Sequence, residues 1–203
     1  HVGITYNNIG AVYQAQAKYP EAMQMYEKSL AIKIKVHGHD HLETAKTHNN
    51  IGIVHLKQCM LAEATAAFDK SLEIKIRVLG PEHLSMADTK NNIALVYDAQ
   101  GKYPEALKMQ EEVLHIREKK LGHEHPHVAD AQCNSGIVYE QQGQLEEAEQ
   151  MYQKAVQSMR KVHGGGSLQV ADMRKNIADV RQAQGRYEEA IEMYNDAREI
   201  QTK

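Results

Sequence analysis

The sequence predicts an all-α protein built as a solenoid of five helical hairpins, and three observations carry that prediction. First, the segment Tyr6, Asn7, Asn8, Ile9, Gly10, Ala11, Val12, Tyr13 recurs from His48, Lys90, Gln132 and Arg174, each start 42 residues after the last with no insertion. Self-similarity at a fixed period of this length marks units that pack mainly on their neighbours. Second, apolar residues inside each unit follow helical spacing: Tyr6, Ile9, Gly10 and Tyr13 stand at i, i+3, i+4 and i+7. Third, strand material is scarce, with no Trp, one Phe and four Pro among 203 residues.

Taking the elements in order, a first helix runs through Tyr6 and Tyr13 and breaks at Ala17 and Lys18. Tyr19, Pro20 and Glu21 then open a second helix, because proline is tolerated in a first turn whose N–H groups lack partners and an acidic residue suits the dipole. That helix carries Ala22, Met25, Tyr26, Ser29 and Leu30, extends to about Val36 and ends at Gly38. Gly80, Gly122 and Gly164 end the corresponding later helices. The expected repeats span about 1–40, 41–82, 83–124, 125–166 and 167–203, forming a single array. Gly101, Gly143 and Gly185 occupy the turn inside later hairpins, which suits a left-handed backbone, whereas Ala17 and Cys59 stand there in the first two and predict strain. Small residues recur at two places, Ala22, Ala64, Ala106, Ala148 and Ala190, and Gly10, Gly52, Ala94, Gly136 and Ala178. The expectation is that these two rows face each other and let the helix axes approach.

These residues resemble the tetratricopeptide repeat: an aromatic, Leu-Gly, Tyr, Ala, then an aromatic and a small residue, read here as Tyr6, Ile9-Gly10, Tyr13, Ala22, Tyr26 and Ser29. The 42-residue period, the Asn-Asn pair and the Gly-x-x-His loops (Gly38 to His41, Gly80 to His83, Gly122 to His125) resemble the kinesin-light-chain subclass. The resemblance covers essentially the whole chain and implies a right-handed superhelix whose first helices line a concave face that receives extended peptides. Departures are Gln110 where Tyr26 and Phe68 stand, Ser135 in the place of Ile9, and a fourth loop, Gly164 to Ser167, that lacks the His.

On the face opposite the packing face, one position is Asn in every unit: Asn8, Asn50, Asn92, Asn134 and Asn176. An amide both donates and accepts, so a row of them can pair with a peptide backbone whatever its side chains. The competing reading is that each Asn bonds its own helix or the neighbouring unit. Asn49 and Asn91 flank that row, with Cys133 and Lys175 at the same position later. Asp88, Asp98, Asp130 and Glu140 lie on the presumed groove of units three and four, which suggests either a solvated acidic face or a preference for ligands bearing Lys or Arg. The carboxylate clamp of chaperone adaptors is disfavoured, because the place one turn on holds Ala11, Ile53, Leu95, Ile137 and Asp179 rather than Asn.

Composition limits the function classes. Hydrophobic residues are 42% and charged residues 25%, an ordinary soluble balance, and the formal charge of −3 offers no footprint for nucleic acid. No stretch approaches the ~20 apolar residues of a membrane span. Cys59 and Cys133 are too separated for a metal motif and suit a reducing, cytoplasmic setting. His37, His39 and His41, and His123, His125 and His127, could reach one Zn²⁺ or Ni²⁺, but His recurs there as part of the repeat, so a loop role is expected and no metal or cofactor is assigned. No phosphate loop, GxSxG or HExxH is present. The chain opens at His1 with periodicity under way, as a piece of a longer protein would. The expected function is non-enzymatic binding of a protein or peptide ligand. The alternatives are a sensing or autoinhibitory segment of a larger receptor or signalling protein, and an end-to-end self-associating array.

Overall fold

The computed structural model describes residues 1–201; the final two residues of the fifth expected repeat lie outside them. All ten elements among the described residues are α-helices, and they belong to two compact units, His1–Gly101 and Lys102–Lys203. The first unit holds α1 (Val2–Ala15), α2 (Tyr19–His37), α3 (Leu42–Lys57), α4 (Leu61–Leu79) and α5 (Ser85–Ala99). The second holds α6 (Tyr103–Leu121), α7 (Pro126–Gln141), α8 (Leu145–His163), α9 (Leu168–Ala183) and α10 (Tyr187–Gln201). Within the units α1 pairs with α2, α3 with α4, α7 with α8 and α9 with α10 as antiparallel hairpins. The expected fold class, an all-α solenoid of helical hairpins, is what forms. No described helix is long and apolar enough to cross a membrane.

The turn inside each hairpin is a Schellman cap. After α1 the Lys18 N–H donates to the Tyr13 carbonyl and the Ala17 N–H to Gln14, at 2.9 and 3.0 Å. The geometry repeats at Cys59, Gly143 and Gly185, and its next-to-last residue must be left-handed. Ala17 and Cys59 accordingly sit at φ 56° and 59°, which confirms the expected strain, beside φ 75° and 78° for Gly143 and Gly185. The second helices end differently. Gly38, Gly80, Gly122 and Gly164 combine φ of 77–85° with ψ of 157–176°, a region open essentially only to glycine.

The following loops explain the recurrent His. The Nδ1 atoms of His41 and His125 cap α3 and α7 by accepting the N–H of the residue two positions on, at 3.1 and 3.2 Å. His83 Nδ1 accepts the Ser85 N–H at 3.1 Å in the same way. In the fourth loop Ser167 Oγ accepts the Val170 N–H at 3.4 Å and replaces the imidazole. A ring nitrogen used as an acceptor satisfies one of the orphan donors of a helix start. Among the described residues no three His, Cys, Asp or Glu side chains gather as a metal site.

Gly10, Gly52 and Gly136 mark where the helices of their hairpins come closest. Each lies under the aromatic ring of its partner helix, so that a Cβ would come within 2.8 Å of Tyr26, 2.6 Å of Phe68 and 2.6 Å of Tyr152 respectively. The alanines Ala22, Ala64 and Ala148 are fully buried beside those rings. In the first unit Ala22, Tyr26, Ile51, Val54 and Ala67 form one core cluster. In the second, Ala148, Tyr152, Ile177 and Val180 form its counterpart.

Candidate functional site

The row of asparagines sits on a polar seam between successive hairpins, and the seam starts from a buried lysine. Lys33 on α2 is 3% exposed, and its Nζ donates to the Glu43 carbonyl at 3.2 Å and to Thr47 Oγ1 at 3.0 Å. Burying an unpaired ammonium would cost several kcal/mol, roughly, and here the Glu43 carboxylate stands 3.1 Å away as its counter-ion. The Lys46 ammonium, with Lys33 behind it, holds the Glu43 carboxyl below the usual carboxylate range. The Thr47 hydroxyl lies 3.4 Å from Asn7 Oδ1, and Asn50 Nδ2 donates to that same oxygen at 3.2 Å.

One repeat on, the pattern recurs in the same unit. Lys75 Nζ donates to the Ser85 carbonyl at 2.8 Å and to Thr89 Oγ1 at 2.6 Å. The Thr89 hydroxyl and Asn92 Nδ2 donate to Asn49 Oδ1 at 3.1 and 3.3 Å. In the second unit the seam degrades stepwise. Arg117 replaces the lysine and donates to the His127 carbonyl at 2.9 Å, opposite Ala131 in the threonine place. At the last junction Met159 and Met173 fill both places and pack in an apolar cluster with Ala129, Ala155 and Val170. There Asn176 Nδ2 reaches Cys133 Sγ at 3.5 Å, and burial pushes the Cys133 thiol up.

Asn50, Asn92 and Asn176 therefore serve the neighbouring hairpin, and Asn50 does so with only part of its capacity. A primary amide has two donor hydrogens and one acceptor. Asn50 gives one hydrogen to Asn7 and, half-buried, lines an open cleft of about 430 Å³ in the first unit. Asn49, Lys46, Lys75, His83 and Asp88 line the same cleft. Asn49, Asn50 and Asp88 are thus brought together. Asn8 is exposed on α1, Asn91 and Asn92 are half-buried on α5, and Asn134 and Asn176 are half-buried on α7 and α9.

The four acidic residues do not form one cluster within either unit. Asp88 is exposed and Asp98 half-buried on α5, whereas Asp130 and Glu140 belong to α7 in the other unit. Asp130 is 3.3 Å from His127 Nδ1. Glu140 accepts the Tyr152 hydroxyl at 2.9 Å and so has a structural role in its own hairpin. Tyr26 donates to Gln14 in the same way at 3.0 Å, and where the ring is Phe68 the matching place holds Leu56. Beside the asparagines, Leu95 and Ile137 are 43% and 39% exposed, an apolar component of the face.

Sequence reasoning missed Lys33, Lys75, Thr47 and Thr89. Their signal was present, since both pairs recur at the 42-residue period. A charged residue on a helix face is normally solvated, however, so nothing local marks these two as buried.

The model of the family described as tetratricopeptide repeat matches residues 1–75, 46–119, 85–161 and 127–203. No curated protein sequence matches the chain. Among solved structures, the kinesin-light-chain, nearly identical TPR-like repeats of Podosopora anserina superpose with a TM-score of 0.84 at 24% identity, covering 99% of this chain and 96% of that one. BtubC (BKLC) from P. vanneervenii gives 0.87 at 18% identity, covering 99% and 81%. The apo form of RapI gives 0.81 at 18% identity, covering 98% and 69%. At these identities the likeness is one of fold.

Proposed function

Because the chain belongs to the tetratricopeptide repeat family, whose fold generally mediates protein–protein interaction, we propose that it is a non-enzymatic binding module for an extended peptide. The peptide runs along the face formed in the first unit by α1, α3 and α5. The observation that carries this reading is the half-used amide of Asn50, which fixes its orientation through Asn7 and keeps one N–H and its Oδ1 for a ligand in the adjoining cleft. A side chain already held by a neighbour loses little rotamer freedom on binding, so a preorganised row recognises a backbone at low ordering cost. Asn8 and Asn92 extend the row in the first unit. Asn134 and Asn176 offer the same chemistry in the second. Asn49 and Asn91 hold the register of the row, and Leu95 adds apolar contact. Asp98 and Asp130 favour basic ligand residues near their own positions, with Asp88 and Glu140 as weaker contributors. The setting is cytoplasmic, in keeping with two free cysteines.

The test is selection of binding peptides from a random library on the whole chain, followed by affinity measurement on an Asn50→Ala/Asn92→Ala variant. Affinity should fall at least tenfold while the variant stays folded by circular dichroism. A library that yields no binding peptide would overturn the reading.

A further inference from the structure

The side of α3 turned away from Asn50 carries His48, Ile51 and His55, at i, i+3 and i+7. Where α2 and α4 flank that side, the first unit holds two open clefts of about 390 and 360 Å³. Both are lined by Leu30, His48 and Lys70, so they form one groove. Along α2 the groove runs from Met23 to Ile34, roughly 16 Å of helix.

The groove exists because the second hairpin departs from the repeat. Ala67 stands where the other four hairpins carry Met25, Met109, Met151 and Met193. His55 stands where they carry Tyr13, Tyr97, Tyr139 and Arg181. At the last junction Met193 packs on the cluster of Ala148, Tyr152, Ile177 and Val180, and Arg181 is tied to Glu149. At the first junction Ala67 joins the matching cluster itself, and the volume of a methionine side chain is missing. Met23, Leu30 and Ile51 wall the space that is left. Atoms lining such a gap lack dispersion partners on one side, so apolar atoms placed there are stabilised.

Charge is unevenly spread along the groove. Lys70 and His48 lie where the two clefts meet, with His39 close by in one of them. None of the three has a hydrogen bond or an ion pair among the described residues. The carboxylates on that side, Asp40 and Glu73, are both taken by Arg77, at 2.5 and 2.7 Å. Glu27 and Glu63 stand toward the opposite end, beside Met23 and His55.

We propose that this groove binds an unbranched monocarboxylic acid, whose chain fills the gap beside Ala67 and whose carboxylate pairs with Lys70 and His48. The chain is unbranched because a methionine side chain is what the other four hairpins place there. The acid group lies at Lys70 because Glu27 and Glu63 repel it from the other end. The site is across α3 from the asparagine row and is independent of any peptide bound there.

The experiment titrates the whole chain with octanoate, octanol and acetate, following binding heat and the NMR signals of the His48 ring. Octanoate should bind saturably and move the His48 titration to higher pH, since an anion then offsets the burial and the neighbouring charges of Lys70 and His39. Octanol should bind at least about tenfold more weakly, and acetate should give no saturable response. Ala67→Met copies the other hairpins, and Lys70→Gln changes an exposed residue, so both should keep their circular dichroism. Each should weaken octanoate at least about tenfold. Absence of saturable binding, equal affinity for octanol, or undiminished octanoate binding in either variant overturns the site. Asn50→Ala/Asn92→Ala should bind octanoate unchanged; loss of binding there would also overturn it, by placing the acid on the asparagine side.

Discussion

Gly52 lies directly beneath the ring of Phe68, so closely that a Cβ on the glycine would be 2.6 Å from the ring carbon Cε1. This contact, repeated as Gly10 under Tyr26 and Gly136 under Tyr152, sets how near the two helices of a hairpin approach. The fifth hairpin shows the alternative. Ala178 stands in the glycine place, and Tyr194 is half-buried there, with its hydroxyl on Asp179 and Gln182, whereas Tyr26 and Tyr152 are 1% and 0% exposed.

Gly52→Ala should therefore destabilise the chain by about 1–3 kcal/mol, the usual range for overpacking a core. Phe68→Leu, made in the Gly52→Ala background, should recover part of that loss. Chemical denaturation of the four members of the cycle measures the coupling, and strict additivity would show that the ring and the glycine do not meet as described.

Backbone strain at the turns gives a prediction of opposite sign. Ala17 and Cys59 hold left-handed conformations at φ 56° and 59°. Ala17→Gly and Cys59→Gly should each stabilise by about 1 kcal/mol, because the relieved strain exceeds the added chain entropy. Gly80, at φ 81° and ψ 164°, occupies a region closed to other residues, and Gly80→Ala should cost up to about 3 kcal/mol. Thermal melts distinguish the three, and a neutral Gly80→Ala would contradict the assigned turn.

The capping role of the loop histidines is testable by borrowing the fourth loop. His41→Ala removes the acceptor for the Glu43 N–H and should cost about 1 kcal/mol. His41→Ser, copying Ser167 before α9, should retain most of the stability. If the two variants melt together, the imidazole does not act as a cap.

Acid sensitivity should centre on His48. Burial first, then the charges of Lys70 and His39, hold its pKa below the ordinary 6.5. The unfolded chain then binds the proton more readily than the folded one, so stability is intact above the unfolded value and declines as pH falls toward the folded value. His48→Gln should reduce the pH slope of stability in that window by up to one proton per molecule. Unfolding free energies measured from pH 7 down to 5 decide it, and an unchanged slope would place the proton uptake elsewhere.

Much of the architecture was readable from one chain. A 42-residue period with no insertion leaves no room for alternating element types, and a glycine or a small residue at each turn marks the hairpin corners. The asparagine row was readable as a pattern, but not its bonding. An amide has enough donors and acceptors for a neighbour and a ligand at once, so recurrence alone could not separate the two readings. That an aromatic ring lies over each of Gly10, Gly52 and Gly136 was not readable for a related reason. Helical periodicity assigns a side chain to a face, yet which residue of the opposite helix it meets depends on the stagger between the axes.

What the sequence determined by itself was the set of local conformations: ten helices, their glycine stops and their strained corners, all consequences of backbone sterics within a few residues. Only the tertiary structure decided which charges are buried. Lys33 and Lys75 look alike in sequence, and both leave water when the next hairpin docks over them. One of them then meets Glu43 and the other an open cleft, because electrostatic compensation depends on partners brought together across the seam rather than along the helix.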